Sequence, residues 1–414
     1  MLRVSDLDYH LPEGRIAIAP AEPRVAARLM VIDRANAAIT RHAHVRDLPS
    51  LLRPGDVLIV NASRVIPARL IAQRTDTRGH VEGLYLGQSE HAGAIRWRAM
   101  LKAGGRLVPG MTIELLDQSD QPSGVVLKLI DRSQEEGETG AWIIELRPDA
   151  ASQTPARGRG RGGFVESAPN ESSTDTSPSH DHDSDPTIKL LETLGRTPLP
   201  PYIRAARKKE HLERPEQRDR DQYQTVYAQS QASPQGSVAA PTAGLHFTPE
   251  LLATLTSMGV ERHEVTLHVG TGTFKPVECE CLQDHPMHAE WCTIPRDTCA
   301  AIVRARSEGR RIIAVGTTSA RTLESFTRAQ IESGARGEPC AHWTKILIAP
   351  GHRWQNLDAL LTNFHLPRST LLAMVAALLE HEPNTGVPAL LAIYREAIAR
   401  EYRFYSFGDA MLIG

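Results

Sequence analysis

From residue 187 onward, runs with helical spacing of apolar residues alternate with short β-type runs, and no other feature of the chain constrains its fold as much. TPELLATLTSMG, DTCAAIVRARSEG, SARTLESFTRAQIESG, STLLAMVAALLEHE and VPALLAIYREAIAREY read as helices, whereas ERHEVTLHV, RRIIAVG, TKILIAP, ALLTNFHL and RFYSFGDAMLI are short and rich in β-branched or aromatic residues. Apolar strands between amphipathic helices need cover on both faces. The alternation therefore predicts an α/β domain with a mixed, mainly parallel sheet flanked by helices. Ligands of such sheets sit at the carboxyl edge, where strands hand over to helices.

The first 150 residues have another rhythm. PGDVLIV at 54–60 reads as a buried strand. From about 70 to 147 the runs HVEGLYL, IRWRAML, MTIELL, GVVLKLI and AWIIELR are separated by turn residues, the pattern of a small antiparallel barrel or sandwich. Between the two regions, residues 150–186 pass from RGRGRGG into ESAPNESSTDTSPSHDHDSDP, which has six acids, no Lys or Arg and almost nothing apolar. Such a segment cannot bury enough surface to offset its ordering entropy, so a disordered insertion is expected. The expected organisation is 1–65 as the first part of the α/β domain, 66–149 as an inserted β-barrel, 150–186 as the insertion and 187–414 as the main α/β part.

Composition narrows the functional classes. Lys and Arg number 47 against 49 Asp and Glu, so no global field attracts nucleic acid or an anionic membrane, and any RNA contact must come from a local patch. Five Cys, odd in number and crowded between 279 and 340, argue against an extracellular disulfide framework and fit a reducing cytosol. The N-terminal MLRVSDLDYHLP lacks an apolar core, and the run Leu371 to Leu379 is far short of the ~20 residues a membrane span needs. A soluble, cytoplasmic protein is expected.

Several stretches can carry chemistry. AAPTAGLHF brings Thr242, Gly244 and His246 to a helix opened by Thr248 and Pro249, where backbone amides favour an anion. TLHVGTGTF carries His268 into a turn with Gly270 and Thr273, but it lacks the third glycine and the βαβ context of a nicotinamide site. DHPMHAEW sets His288 and Glu290 two residues apart, on one side of an extended stretch, as an acid/base pair. Cys279, Cys281, His285, His288 and Cys292 offer zinc-type ligands, yet their spacing fits no familiar finger, so no metal is expected. In AVGTTSARTLE, Thr317, Thr318 and Ser319 can cap a helix whose first turn offers Arg321 to a carboxylate; there is no Walker lysine. TNFHLPRSTL and YSFGDAM add Asn363, His365 and Asp409. A rival to an enzyme is a zinc-stabilised RNA-binding module, motivated by the Cys/His cluster and RGRGRGG.

Taken in order, LPEGRIAIAPAEPRVAARLMVIDR, GDVLIVNASRVIPARL, TPLPPYIR, DQYQTVYA, GSVAAPTAGLHFT, VTLHVGTGTFKPV, HPMHAEW, AVGTTSARTLES, DALLTNFHLPRSTLLAMV and YRFYSFGDAMLI resemble the S-adenosylmethionine:tRNA ribosyltransferase-isomerase family of queuosine biosynthesis. The resemblance implies transfer and rearrangement of the ribosyl part of S-adenosylmethionine onto 7-aminomethyl-7-deazaguanine at the tRNA wobble position, giving epoxyqueuosine, adenine and methionine. It implies no prosthetic group, S-adenosylmethionine being consumed, and an α/β domain carrying a small β-barrel; a monomer is expected. The ribose 5′ carbon beside the sulfonium is acidic, so the candidate bases are His246, His268, His288 and Glu290, with Asp409 or another His to protonate departing adenine. Thr317, Thr318 and Arg321 are candidates for the methionine carboxylate, and Phe247 or Phe274 for the sulfonium. Arg64, Arg69, Thr242, Gly244, Gly270, Thr273, Asn363 and His365 complete the candidate substrate contacts. The chain reads NASR where the family usually reads NDTR, so a carboxylate is missing at Ala62.

Overall fold

Val57–Asn61 (β3) is buried at every position, which is possible only for a strand inside a sheet covered on both faces. The computed structural model describes residues 2–89, 96–133, 140–147, 185–212, 214–229, 236–270 and 277–414. A hairpin of Arg28–Ile32 (β1) and Ile39–His44 (β2) precedes β3. The later strands of the sheet are Glu261–Leu267 (β10), Glu290–Ile294 (β11), Ile312–Val315 (β12), Cys340–Thr344 (β13), Ala359–Asn363 (β14) and Ala410–Ile413 (β15).

Among the described residues these form a nine-stranded mixed sheet in the order β13-β11-β10-β3-β12-β14-β15-β1-β2. β10, β3, β12 and β14 run parallel at its centre, and antiparallel pairings join β11 and β15 on either side. Strand alternation splits the core between the two faces. Val57, Ile59, Ile312 and Ala314 face one cluster, whereas Leu58, Val60, Ile313 and Val315 face the other. Helices Arg296–Ser307 (α5), Thr317–Glu324 (α6), Arg328–Arg336 (α7), Thr370–Leu379 (α8) and Gly386–Ala399 (α9) cover the first face; Pro249–Ser257 (α4) covers the second.

Two details differ from the sequence expectation. SARTLESFTRAQIESG is two helices rather than one. The break comes at Thr327, whose hydroxyl accepts the Gln330 N–H at 3.3 Å while the Gln330 side chain accepts the Thr327 N–H at 2.8 Å, a capping box that restarts the helix. TKILIAP is not a strand: β13 is CAHWT, and the Thr344 hydroxyl takes the Ile346 N–H at 3.2 Å as the ladder ends.

The second unit is a closed antiparallel barrel of Arg69–Arg74 (β4), His80–Ser89 (β5), Arg96–Ala103 (β6), Thr112–Leu116 (β7), Pro122–Arg132 (β8) and Trp142–Arg147 (β9). β4 pairs with both β5 and β7, so the sheet closes into a barrel instead of stacking as a sandwich. Tyr85, Trp97 and Trp142 fill it. Helix Pro186–Leu194 (α1) docks on this core through Ile188, Leu191 and Leu194, each buried side chain contributing about 1.5–3 kcal/mol. Asp185 caps α1 by accepting the Thr187 N–H at 2.7 Å, and Trp97 donates its indole N–H to the Thr187 hydroxyl at 3.1 Å. Of the expected disordered insertion, 150–184 lies outside the described residues. No helix among the described residues is long and apolar enough to cross a membrane.

Candidate active site

A cavity of about 600 Å³ opens at the carboxyl ends of β12 and β14, the edge where such sheets hold ligands. β12 reaches it through Gly316, whose φ of 87° and ψ of 156° belong to a region that only glycine adopts readily. This backbone turn starts α6 without a side-chain cap, so the expected capping by Thr317, Thr318 or Ser319 does not occur. Ser319 instead donates to the Val315 carbonyl at 2.8 Å, tying helix to strand, while the buried Thr318 hydroxyl has no partner.

Arg321 is only 8% exposed, and its Nη1 donates to Glu290 Oε2. The other oxygen of Glu290 accepts the Gly270 N–H at 3.2 Å. Among the described residues, Nε and Nη2 of Arg321 are buried without a partner, as is Nδ2 of Asn363 at the end of β14, whose Oδ1 accepts the Thr242 hydroxyl at 2.9 Å. An unpaired buried donor costs roughly 1–3 kcal/mol, so three such groups on one wall mark a place for an acceptor-rich ligand. The lining also includes apolar and aromatic side chains, Met287, Ile346, Leu371 and Met374 with the edge-to-face pair Tyr202 and Tyr405, whose ring centroids are 4.7 Å apart. The cavity thus offers donors for an anion or hydroxyls and apolar, aromatic surface for a flat heterocycle.

The expected site residues divide sharply by position. Thr242, His288, Glu290, Thr317, Thr318, Arg321, Asn363 and His365 line the cavity. His246 does not: it is buried, with Nδ1 3.1 Å from the Ala243 carbonyl and Nε2 2.8 Å from that of Gly408, and burial lowers its pKa. Asp409 does not either, since its carboxylate accepts the N–H groups of Arg28 at 2.9 Å and Arg403 at 2.8 Å. His268 sits beyond the end of β10, its backbone N–H bonded to Trp291 and its ring pKa lowered by burial. Gly244 lies under the Tyr227 hydroxyl, where a Cβ would come within 1.9 Å, so its role is packing. Gly270 reaches the site through its N–H, which Glu290 accepts. Arg69 belongs to the barrel, paired with Glu82 at 2.8 Å. Arg64, paired with Glu192 at 3.2 Å, lines a second cavity of about 650 Å³. Phe247 is buried in the core away from the cavity, and Thr273 and Phe274 lie outside the described residues.

His285, Tyr202, Tyr405 and Ser406 also line the cavity, although none of them stood among the expected catalytic or substrate-contacting residues. Tyr202 lies within TPLPPYIR and Tyr405 within YRFYSFGDAMLI, both conspicuous stretches, but nothing in either predicts that the two rings meet. Burial lowers the pKa of His285 and pushes that of His365 down to about 4, so both imidazoles are neutral at pH 7. Nε2 of His365 lies 2.9 Å from the Thr362 hydroxyl. Among the described residues no three His, Cys, Asp or Glu side chains are arranged to hold a metal ion.

A family model described as queuosine biosynthesis protein matches residues 4–413. An S-adenosylmethionine:tRNA ribosyltransferase-isomerase from Symbiobacterium thermophilum is 42% identical over 412 residues, covering 100% of both chains. One from Heliobacterium modesticaldum is 41% identical with the same coverage. A crystal structure of an S-adenosylmethionine tRNA ribosyltransferase from Thermotoga maritima aligns at 29% identity and a TM-score of 0.47, covering 99% of this chain and 100% of that one.

Proposed function

The chain belongs to the queuosine biosynthesis protein family, and on that premise we propose that it transfers and isomerises the ribosyl part of S-adenosylmethionine onto 7-aminomethyl-7-deazaguanine at the tRNA wobble position. The products are epoxyqueuosine in tRNA, adenine and methionine. One observation carries the reading: a single cavity of about 600 Å³ is lined both by buried, unpaired donors on Arg321, Thr318 and Asn363 and by apolar and aromatic side chains that include Tyr202 and Tyr405. The methionyl carboxylate and the ribose hydroxyls of S-adenosylmethionine need such donors, and its adenine ring needs the apolar, aromatic surface.

Within this reading the proton on the ribose 5′ carbon goes to a histidine of HPMH. His288 and His285 both face the cavity, whereas both oxygens of Glu290 are already engaged. We assign His288 as the base. His285, neutral because burial disfavours its charged form, is the alternate proton acceptor. Adenine leaves C1′ only as its ring nitrogens gain a proton or hydrogen bonds, and the neutral His365, beside Thr362 in the cavity lining, is the candidate to offer a hydrogen bond. The aminomethyl nitrogen of the base forms the new bond to the rearranged ribose and releases one of its protons to solvent, and methionine departs with the electrons of its carbon–sulfur bond. The reading carries with it a cytoplasmic monomer that uses no prosthetic group. The test is incubation with S-adenosylmethionine and tRNA bearing the aminomethyl-deazaguanine base, following adenine by chromatography and the digested nucleoside by mass. Adenine and epoxyqueuosine that both require the modified tRNA are the expected outcome; neither product from folded protein would end the assignment.

A further inference from the structure

We propose that the Nε–Nη2 edge of Arg321 seats the methionyl carboxylate of S-adenosylmethionine, and that Glu290 is the positioning residue turning that edge into the cavity instead of an acid or base. The proposal rests on the functional reading above. A guanidinium carries its N–H groups in one plane, and the N–H bonds of Nε and Nη2 run parallel along one edge, the arrangement that grips a carboxylate through two hydrogen bonds. That is the edge left empty: Glu290 occupies Nη1, while Nε and Nη2 are buried with no acceptor. Thr318 Oγ1 and Asn363 Nδ2, also unpaired on the same wall, add donors for groups beside the carboxylate.

The other acceptors available to this enzyme fit less well. A 7-deazaguanine has carbon where guanine has N7, so this side of the base offers O6 alone and cannot span two parallel donors. An RNA phosphate would have to bring its backbone to an arginine that is 8% exposed. Glu290 is itself 5% exposed, and its two oxygens are taken by Arg321 and by the Gly270 N–H. Its geometry is that of a strut: strand β11 on one side, helix α6 on the other, and the loop after β10 tied to both.

The experiment is titration calorimetry of the full chain with S-adenosylmethionine and with its decarboxylated analogue, which lacks only the carboxylate. The unaltered protein should prefer S-adenosylmethionine by about tenfold or more, the worth of one or two charge-assisted hydrogen bonds. In Arg321→Lys the charge beside Glu290 is kept and the two-pronged edge is lost, so the preference should shrink to about threefold or less. In Glu290→Gln the preference should fall while the pH profile of adenine release keeps its shape. A preference that survives Arg321→Lys, or a pH limb that disappears in Glu290→Gln, would overturn the proposal. The comparison in the unaltered protein needs no variant to fold, and equal affinity for the two ligands would also overturn it. Carboxylate preference without adenine release would sink the functional reading and leave the clamp; adenine release without the preference would do the reverse.

Discussion

Individual side chains in this protein are sorted by what their polar atoms already hold. His246 lies between two backbone carbonyls, and Asp409 accepts two backbone N–H groups with the Arg403 guanidinium 3.5 Å from its Oδ1, so their variants should read out as stability. His246→Ala removes the one N–H that the neutral imidazole donates to the Ala243 or the Gly408 carbonyl and should cost about 1–3 kcal/mol in denaturant unfolding, with the KM for S-adenosylmethionine little changed. His288→Ala should lower kcat for adenine release by about a hundredfold or more; turnover within a few-fold of the parent would move the base to His285. His365 links the site to acid stability. Burial holds its folded pKa near 4 against 6.5 for an exposed imidazole, so as pH falls below 6.5 the unfolded chain takes up a proton that the folded one refuses. Stability is complete above pH 6.5 and declines toward pH 4, by about 2 kcal/mol from this residue between pH 7 and pH 5. His365→Gln, which keeps a partner for Thr362, should flatten that part of the acid limb in denaturant titrations at the two pH values.

At the level of elements, the turns set where the chemistry stands. Gly316 starts α6 in a conformation that side chains avoid, although a Cβ there would meet only Ala243 and Thr318 at 3.6 and 3.7 Å, which is ordinary contact. The cost of Gly316→Ala is therefore conformational, roughly 1–3 kcal/mol, and relaxation of the turn would move Thr318 and Arg321. Lower thermal stability together with weaker S-adenosylmethionine binding is the expected result; a variant with the parent's melting temperature and affinity would show that the turn is not under this constraint. α1 presents the contrasting case, an element that builds the barrel. Leu191→Ala removes a fully buried side chain from the barrel cluster and should destabilise by about 2–5 kcal/mol, read by near-ultraviolet circular dichroism of Trp97 and Trp142. Most of these elements are legible in the runs themselves, because the spacing of apolar residues is a local property. The boundary at Thr327 was open to reading too, since Thr followed three residues later by Gln is a capping box. It is masked by the strong helical periodicity on both sides.

Across the whole molecule, residues outside the barrel strands tie into it: Ile66 and Val238 pack in the barrel's cluster, and Arg69 is paired backbone to backbone with Arg196. The low-complexity stretch is attached beside α1. Removing 155–184, with Asp185 kept because it caps α1, should leave adenine release within a few-fold of the parent. A loss of about a hundredfold in tRNA affinity would instead make RGRGRGG an RNA contact.

The sequence by itself determined the two architectures and the family, since hydrophobic period, turn residues and ordered motifs all lie along the chain. It also placed Thr317, Thr318, Arg321, Asn363, His365, His288 and Glu290 among the candidates, and all seven line one cavity. Tertiary structure alone decided which candidates face that cavity. His246 and His288 are equally good imidazoles on paper, and only packing turns one between two carbonyls and the other toward the ligand space. It alone joined Glu290 to Arg321 across 31 residues of chain and left one guanidinium edge unpaired. The physical reason is that a side chain's identity fixes how many hydrogen bonds it can make, whereas the atoms brought around it by folding fix how many remain for a substrate.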